Sequence, residues 1–352
     1  YEQDADSWAL YTNNTYHFDE QWSVTFGARY TEEDKNGKTI INGTGTDGVV
    51  SENWPCAILP LPAFCDNAGY DLHRNESKLT GTVKFGYAFN DDVSVYAGWS
   101  NGYKAGGFNL DPTAYKINDA GEVTGDSREF EEETVNTYEI GMKSQWFDGI
   151  LTLNTAAFWS RFEDFQLNTF NGAFFTVDNV PEVTAKGIEV EYSWLALDGV
   201  MLTGGATYTD SRYTANTPIV NATAALGGPT NLKDKRLTNA PYWQASTGIL
   251  VDRDIPFWDG YRYQLNLNWL FRDDHNTGSD LDPQKRQGAY SLVNGQIGIR
   301  TADERFELLA WGTNLFDKQY RPLTFDAVSQ TGSWSSITGA PRMYGLTLKT
   351  NF

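Results

Sequence analysis

Tyr344-Gly345-Leu346-Thr347-Leu348-Lys349-Thr350-Asn351-Phe352 sets large apolar residues two apart, with polar or small residues between them. Successive side chains of a strand point to opposite faces, so Tyr344, Leu346, Leu348 and Phe352 share one face and Gly345, Thr347, Lys349 and Asn351 share the other. One face suits lipid, the other suits water, and the stretch stops on an aromatic residue, as a membrane β-barrel does. Phe352 thereby reads as an assembly signal for the barrel assembly machinery. One segment of this kind could equally be a soluble edge strand, so the rest of the chain decides.

The same unit recurs upstream. From Ser77 to Asn90, Leu79, Gly81, Val83, Phe85, Tyr87 and Phe89 oppose Lys78, Thr80, Thr82, Lys84 and Gly86. From Tyr261 to Arg272, Tyr261, Tyr263, Leu265, Leu267, Trp269 and Phe271 oppose Arg262, Gln264, Asn266, Asn268 and Arg272. The period is two throughout, and it predicts about thirteen strands. They fall near residues 6–18, 21–33, 77–90, 92–103, 133–147, 150–167, 174–197, 200–213, 237–252, 260–273, 286–301, 304–318 and 337–352. Tight turns such as Asp148-Gly149 and Asp198-Gly199 alternate with long stretches at 34–76, 104–132, 214–236, 274–285 and 319–336. Outer-membrane barrels pair short periplasmic turns with long extracellular loops.

Composition agrees with an all-β transmembrane antiparallel barrel. Aromatic residues make up 14% of the 352 residues while charged residues make up 21%, and mean hydropathy is -0.49. A soluble globule hides its rings, whereas a barrel displays them in girdles. No apolar run is long enough for a helical span. The net charge of -19 excludes nucleic acid as a partner, because phosphate neutralisation needs a basic face. Acidic runs such as Glu131-Glu132-Glu133 read as solvated surface rather than a metal site. Cys56 and Cys65, in a Pro-rich stretch, read as a local disulfide formed in an oxidising compartment.

An odd number of antiparallel strands does not close in the even-numbered bacterial pattern. The chain therefore reads as the back part of a larger barrel, with an upstream portion expected before Tyr1.

Val95-Tyr96-Ala97-Gly98-Trp99-Ser100-Asn101-Gly102-Tyr103-Lys104-Ala105-Gly106-Gly107-Phe108-Asn109 resembles a strand-to-loop signature of TonB-dependent outer-membrane receptors. Tyr138-Glu139-Ile140-Gly141-Met142-Lys143-Ser144, Lys186-Gly187-Ile188-Glu189-Val190-Glu191 and Asn314-Leu315-Phe316-Asp317-Lys318-Gln319-Tyr320, the last followed by Gly339-Ala340-Pro341-Arg342, agree in order and spacing. The resemblance covers essentially the whole chain. It implies a 22-stranded barrel filled by an N-terminal plug, in the outer membrane of a Gram-negative bacterium, importing a scarce nutrient with energy from the inner-membrane TonB complex. Ferric siderophores are the commonest cargo of that family, so the expected ligand is an iron chelate, carried as cargo rather than as a cofactor. The sequence departs from the family pattern in lacking the plug, the coupling box and the first strands.

Tyr103, Lys104 and Phe108 stand where the wall rises into a long loop, where an aromatic beside a cation suits an aromatic or anionic chelate. Arg262 and Arg272 face the lumen by alternation and suit cargo or plug. Trp54, Ile58, Leu59, Leu61 and Phe64 form an apolar knob in the cysteine loop, a candidate contact for a partner lipoprotein or for neighbouring loops. The polar residues of Asn314-Leu315-Phe316-Asp317 read as fixing a strand end. With only His17, His73 and His275 and no Gly-x-Ser-x-Gly elbow, an enzyme is not expected. The readings stand in the order importer, scaffold barrel for partner proteins, passive porin.

Overall fold

A computed structural model describes residues 2–39, 70–110, 115–117, 123–126, 128–170, 175–217, 231–327, 330 and 332–351. Cys56, Cys65, the apolar residues between them, Trp54 and Phe352 lie outside the described residues.

Thirteen strands form one antiparallel sheet in strict chain order. They are β1 (Glu2–His17), β2 (Trp22–Thr39), β3 (Tyr70–Ala88), β4 (Val93–Lys104), β5 (Glu133–Trp146), β6 (Leu151–Phe170), β7 (Phe175–Leu197), β8 (Val200–Tyr213), β9 (Trp243–Asp254), β10 (Tyr261–Arg272), β11 (Tyr290–Thr301), β12 (Phe306–Thr313) and β13 (Met343–Thr350). All thirteen expected strands are present. The connections β1–β2, β3–β4, β5–β6, β7–β8, β9–β10 and β11–β12, each of six residues or fewer, all lie at one end of the sheet. The tightest, between β7 and β8, turns on Gly199 at φ +65°, a conformation that a Cβ would strain. Among the described residues no helix is long and apolar enough to cross a membrane.

The ladder fixes the faces. Leu308 pairs with Leu348, Ala310 with Leu346 and Gly312 with Tyr344, so the face read from the last strand continues into its neighbour. Leu346 is 76% exposed and Leu10 is 73% exposed. Side chains of that size left open along a whole sheet face suit hydrocarbon, not water. Rings gather in two belts on this outer face. Toward the short turns, Trp22 and Tyr87 stand 4.6 Å apart and Trp258 and Tyr261 4.7 Å apart. Toward the long loops, Trp8 packs on Tyr30 at 5.5 Å, Tyr138 on Trp159 at 5.7 Å and Tyr208 on Trp243 at 5.0 Å.

Several boundaries differ from expectation for local reasons. β2 and β3 run on into the stretch expected to be loop, at 34–39 and 70–76. There Glu33 sits opposite Glu76 and Lys35 opposite Arg74, like-charge pairs that disfavour pairing. Same-strand neighbours two residues apart offset this, Lys35 Nζ lying 3.1 Å from Glu33 Oε2 on β2 while Arg74 pairs with Glu76 on β3. β12 stops at Thr313 because Asn314 takes the left-handed conformation, φ 47°. Its amide nitrogen donates to the Lys318 and Ala340 carbonyls at 3.0 Å, and its Oδ1 accepts from Lys318 N at 2.8 Å. Asn314 thus holds a strand end, as expected from its motif. Residues 286–287 and Ile337, expected in wall strands, instead belong to small hairpins, 286–287 with 275–276 and 334–337 with 323–326.

Candidate functional site

At the long-loop end the inner face of the sheet carries a packed vault. Val183 and Tyr213 face each other across β7 and β8, and both are essentially inaccessible. With Leu167, Val180 and Leu232 they form a core against which Phe162, Phe165, Leu237 and Leu281 pack. Asp164 holds φ 52° at the place where Pro181 breaks the β6–β7 ladder. Beyond it alternation ends, and Phe165, Gln166, Leu167 and Asn168 all border one cavity.

That cavity, of about 380 Å³, is walled by Phe165, Phe175 and Phe325, by Leu237 and Leu323, and by Lys285 with Asp280 and Asp326. Phe175 and Phe325 meet edge to face at 5.7 Å. The Lys285 ammonium, 2% exposed, lies 2.6 Å from Asp280 Oδ2, and its 2.8 Å approach to Asp326 Oδ1 adds a second ion contact outside hydrogen-bond alignment. Asp280, Asp282 and Asp326 could converge on a metal ion, but the ammonium already supplies the cation between Asp280 and Asp326. Thr277 Oγ1 donates to the Lys285 carbonyl at 2.7 Å and lies 3.0 Å from Thr324 Oγ1, tying the two small hairpins together. The result is a ring-lined recess with one compensated cation.

The residues expected from sequence are placed differently. Tyr103 donates to Glu33 Oε1 at 3.0 Å, and Phe108 is buried against Gly37, whose Cβ, were there one, would stand 2.5 Å from the ring. Tyr103 lies near the end of the β4 ladder, whereas Phe108 belongs to the segment that follows, folded over the inner face of β2 and β3. It is pinned by Lys35 Nζ on the Gly106 carbonyl at 2.9 Å, by Gly106 N on Glu76 Oε2 at 3.0 Å, and by the Gln166 amide on the Ala105 and Glu131 carbonyls. Lys104 beside them is exposed. Arg262 lies at the short-turn end, donating to Asp252 and Asp254 at 2.8 Å, within an inner network that includes Arg300. Arg272 lies at the long-loop end, where its Nη2 donates 2.8 Å to the carbonyl of Asn239, a residue of the cavity wall. Its Nε is buried without a hydrogen-bond partner among the described residues. Sequence reasoning missed Phe165, Phe175, Phe325 and Lys285. They occupy strand tips and loops where periodicity carries no signal.

The family model for TonB dependent receptor-like, beta-barrel matches residues 1–315. The chain belongs to this family. As a TonB-dependent receptor barrel it lies in the outer membrane of a Gram-negative bacterium. It is 24% identical to the pesticin receptor of Yersinia pestis over 321 residues, covering 90% of this chain and 40% of that protein. To the ferrichrome outer membrane transporter/phage receptor of Escherichia coli K12 it is 23% identical over 263 residues, covering 72% of this chain and 30% of that one. Its fold matches the ferric yersiniabactin uptake receptor from Yersinia pestis with a TM-score of 0.74 at 20% identity, across 99% of this chain and 46% of the other. The chain thus spans less than half the length of the relatives it matches.

Proposed function

We propose that this receptor barrel takes up a ferric siderophore or similar metal chelate, with the ring-lined cavity at its extracellular end as part of the cargo site. The observation that carries the reading is the convergence of Phe165, Phe175 and Phe325 with Lys285 around about 380 Å³, a size typical of small-molecule sites. The relatives support it, since their names include a ferric-pyoverdine receptor and a ferrichrome transporter. Arg272, whose buried Nε lacks an acceptor among the described residues, stands behind the cavity wall and holds Asn239 of that wall through its carbonyl. Arg262, at the periplasmic end, is placed to meet a plug rather than cargo. Coupling to the TonB complex belongs to the whole receptor, through a plug outside these residues.

The test is binding of a panel of ferric catecholate, hydroxamate and phenolate chelates to the full-length receptor, read by tryptophan quenching. Phe175→Ala with Phe325→Ala is expected to weaken the preferred chelate roughly 10-fold or more, since buried ring contacts dominate such sites. Unchanged affinity in a folded double variant would remove the cavity from the cargo site. Failure of every chelate to bind the wild type would remove the chelate reading itself.

A further inference from the structure

We infer that the outer rim above β8 and β9 carries a binding site for the phosphate of a glycolipid headgroup in the outer leaflet. The register sets the direction. Tyr208 pairs with Trp243 on the lipid face. Arg212, four residues beyond Tyr208 on the same strand, shares that face, and it bridges to Arg236. Tyr242 stacks on Tyr208 at 5.9 Å, completing the upper aromatic belt at this point. Rings of that kind sit at the level of lipid headgroups, so whatever stands immediately above them on the outer face stands among headgroups.

Three guanidiniums stand there. Arg236 lies over the Tyr242 ring, 4.5 Å from its centroid. Its Nη2 donates to Asp274 Oδ2 at 3.1 Å and to the Asp274 carbonyl at 2.8 Å. Arg286 donates to the same carboxylate oxygen, from Nη2 at 2.7 Å and from Nε at 3.0 Å. Arg212 spans Asp210 Oδ1 and the Tyr242 hydroxyl, each at 2.8 Å. Arg236, Tyr242, Asp274, Asn276, Pro283 and Arg286 wall a cleft of about 400 Å³.

The charge does not close. Among the described residues three guanidiniums face two carboxylates, and a single oxygen of Asp274 serves two of them. Nearby on the same rim the balance is the reverse, Arg161 lying between Glu163 and Glu182. A cationic excess concentrated at one outward cleft, in a chain of net charge -19, is not a by-product of composition. Holding like charges together costs Coulomb energy that a second anion would return. Arg286, whose side chain is 64% exposed, offers its remaining donors outward, and the planar fork of Arg matches phosphate oxygens in pairs. A membrane-anchored phosphate fits better than a free one, because the cleft opens directly over the ring belt, where a sugar and its acyl chains continue along Tyr208 and Trp243.

The experiment uses the full receptor chain, delipidated in detergent and titrated with a bis-phosphorylated glycolipid, its dephosphorylated form and inorganic phosphate, read by native mass spectrometry. Wild type is expected to retain the phosphorylated lipid selectively. Arg236→Gln with Arg286→Gln should retain roughly 10-fold less or lower still, while Arg161→Gln should match wild type. Arg286→Gln alone, at an exposed position, serves if the double variant loses its heat-resistant band. Equal retention by wild type and the arginine variants, or equal binding of the dephosphorylated lipid, would overturn the site. Inorganic phosphate binding as tightly as the lipid would overturn the membrane assignment.

Discussion

Lys285 Nζ lies 2.6 Å from Asp280 Oδ2 in a place where the lysine is 2% exposed. Breaking a buried pair by removing one partner costs more than the pair contributes, because the other charge stays behind in low dielectric. Lys285→Ala is therefore expected to destabilise the paired loops by about 3–5 kcal/mol, leaving the sheet intact. Limited proteolysis should cut within 275–287 while the unboiled gel band persists. Unchanged protection would mean that the hairpins stand without the ion pair.

Leu267 faces outward and Asn266 inward on β10, the former paired with Ile249 and Gly295. Leu267→Arg should impair membrane assembly by roughly 2–4 kcal/mol if it meets mid-bilayer lipid, and Asn266→Arg should be near neutral. Denaturant titration of refolding into vesicles measures both. Equal effects would contradict the register.

Gly37 faces the Phe108 ring at a separation that leaves no room for a Cβ. Gly37→Val should push the folded-over segment off β2 and cost about 1–3 kcal/mol, as overpacking does. Hydrogen exchange at 104–110 should accelerate in the variant and stay unchanged on β10.

His275 is buried and donates from Nδ1 to the Asp273 carbonyl at 2.9 Å; burial holds its pKa below the ordinary histidine value, with Arg272 and Arg236 adding to the effect, while the Asp273 hydrogen bond and the Asp274 charge pull the other way without cancelling it. The unfolded loop therefore binds the extra proton first. Its stabilisation is complete above the ordinary value of 6.5 and falls as pH drops through the lower folded value. Protection factors across 273–288, with the intrinsic pH dependence of amide exchange divided out, should fall as pH drops from about 7.5 to about 5.5, and His275→Gln should remove that dependence. Asp274 acts lower still. Partial burial pushes it up, but the hydrogen bonds of Arg236 and Arg286 outweigh burial and hold it below the usual carboxylate range, so its contribution persists until strongly acid pH.

Where the two readings part company, the reason is the range of the interaction. Leu265, Leu267 and Trp269 could be assigned to lipid from sequence because a strand's period of two is local, and the ladder confirms every such face. Asn314 could be assigned to a strand end from its motif, because a side chain bonding its own backbone neighbourhood needs no distant partner. Phe108 could not be placed, since its burial depends on Gly37, seventy-one positions earlier. Nor could Lys285, whose partner Asp326 comes from another loop.

The sequence by itself determined the architecture: thirteen wall strands, which of their side chains meet lipid, and which end carries the long loops. All of these follow from backbone alternation against a two-phase surrounding. Only the tertiary structure decided the sites, because the ring-lined cavity and the outward arginine cleft are assembled from loop residues whose contacts are long-range and obey no period.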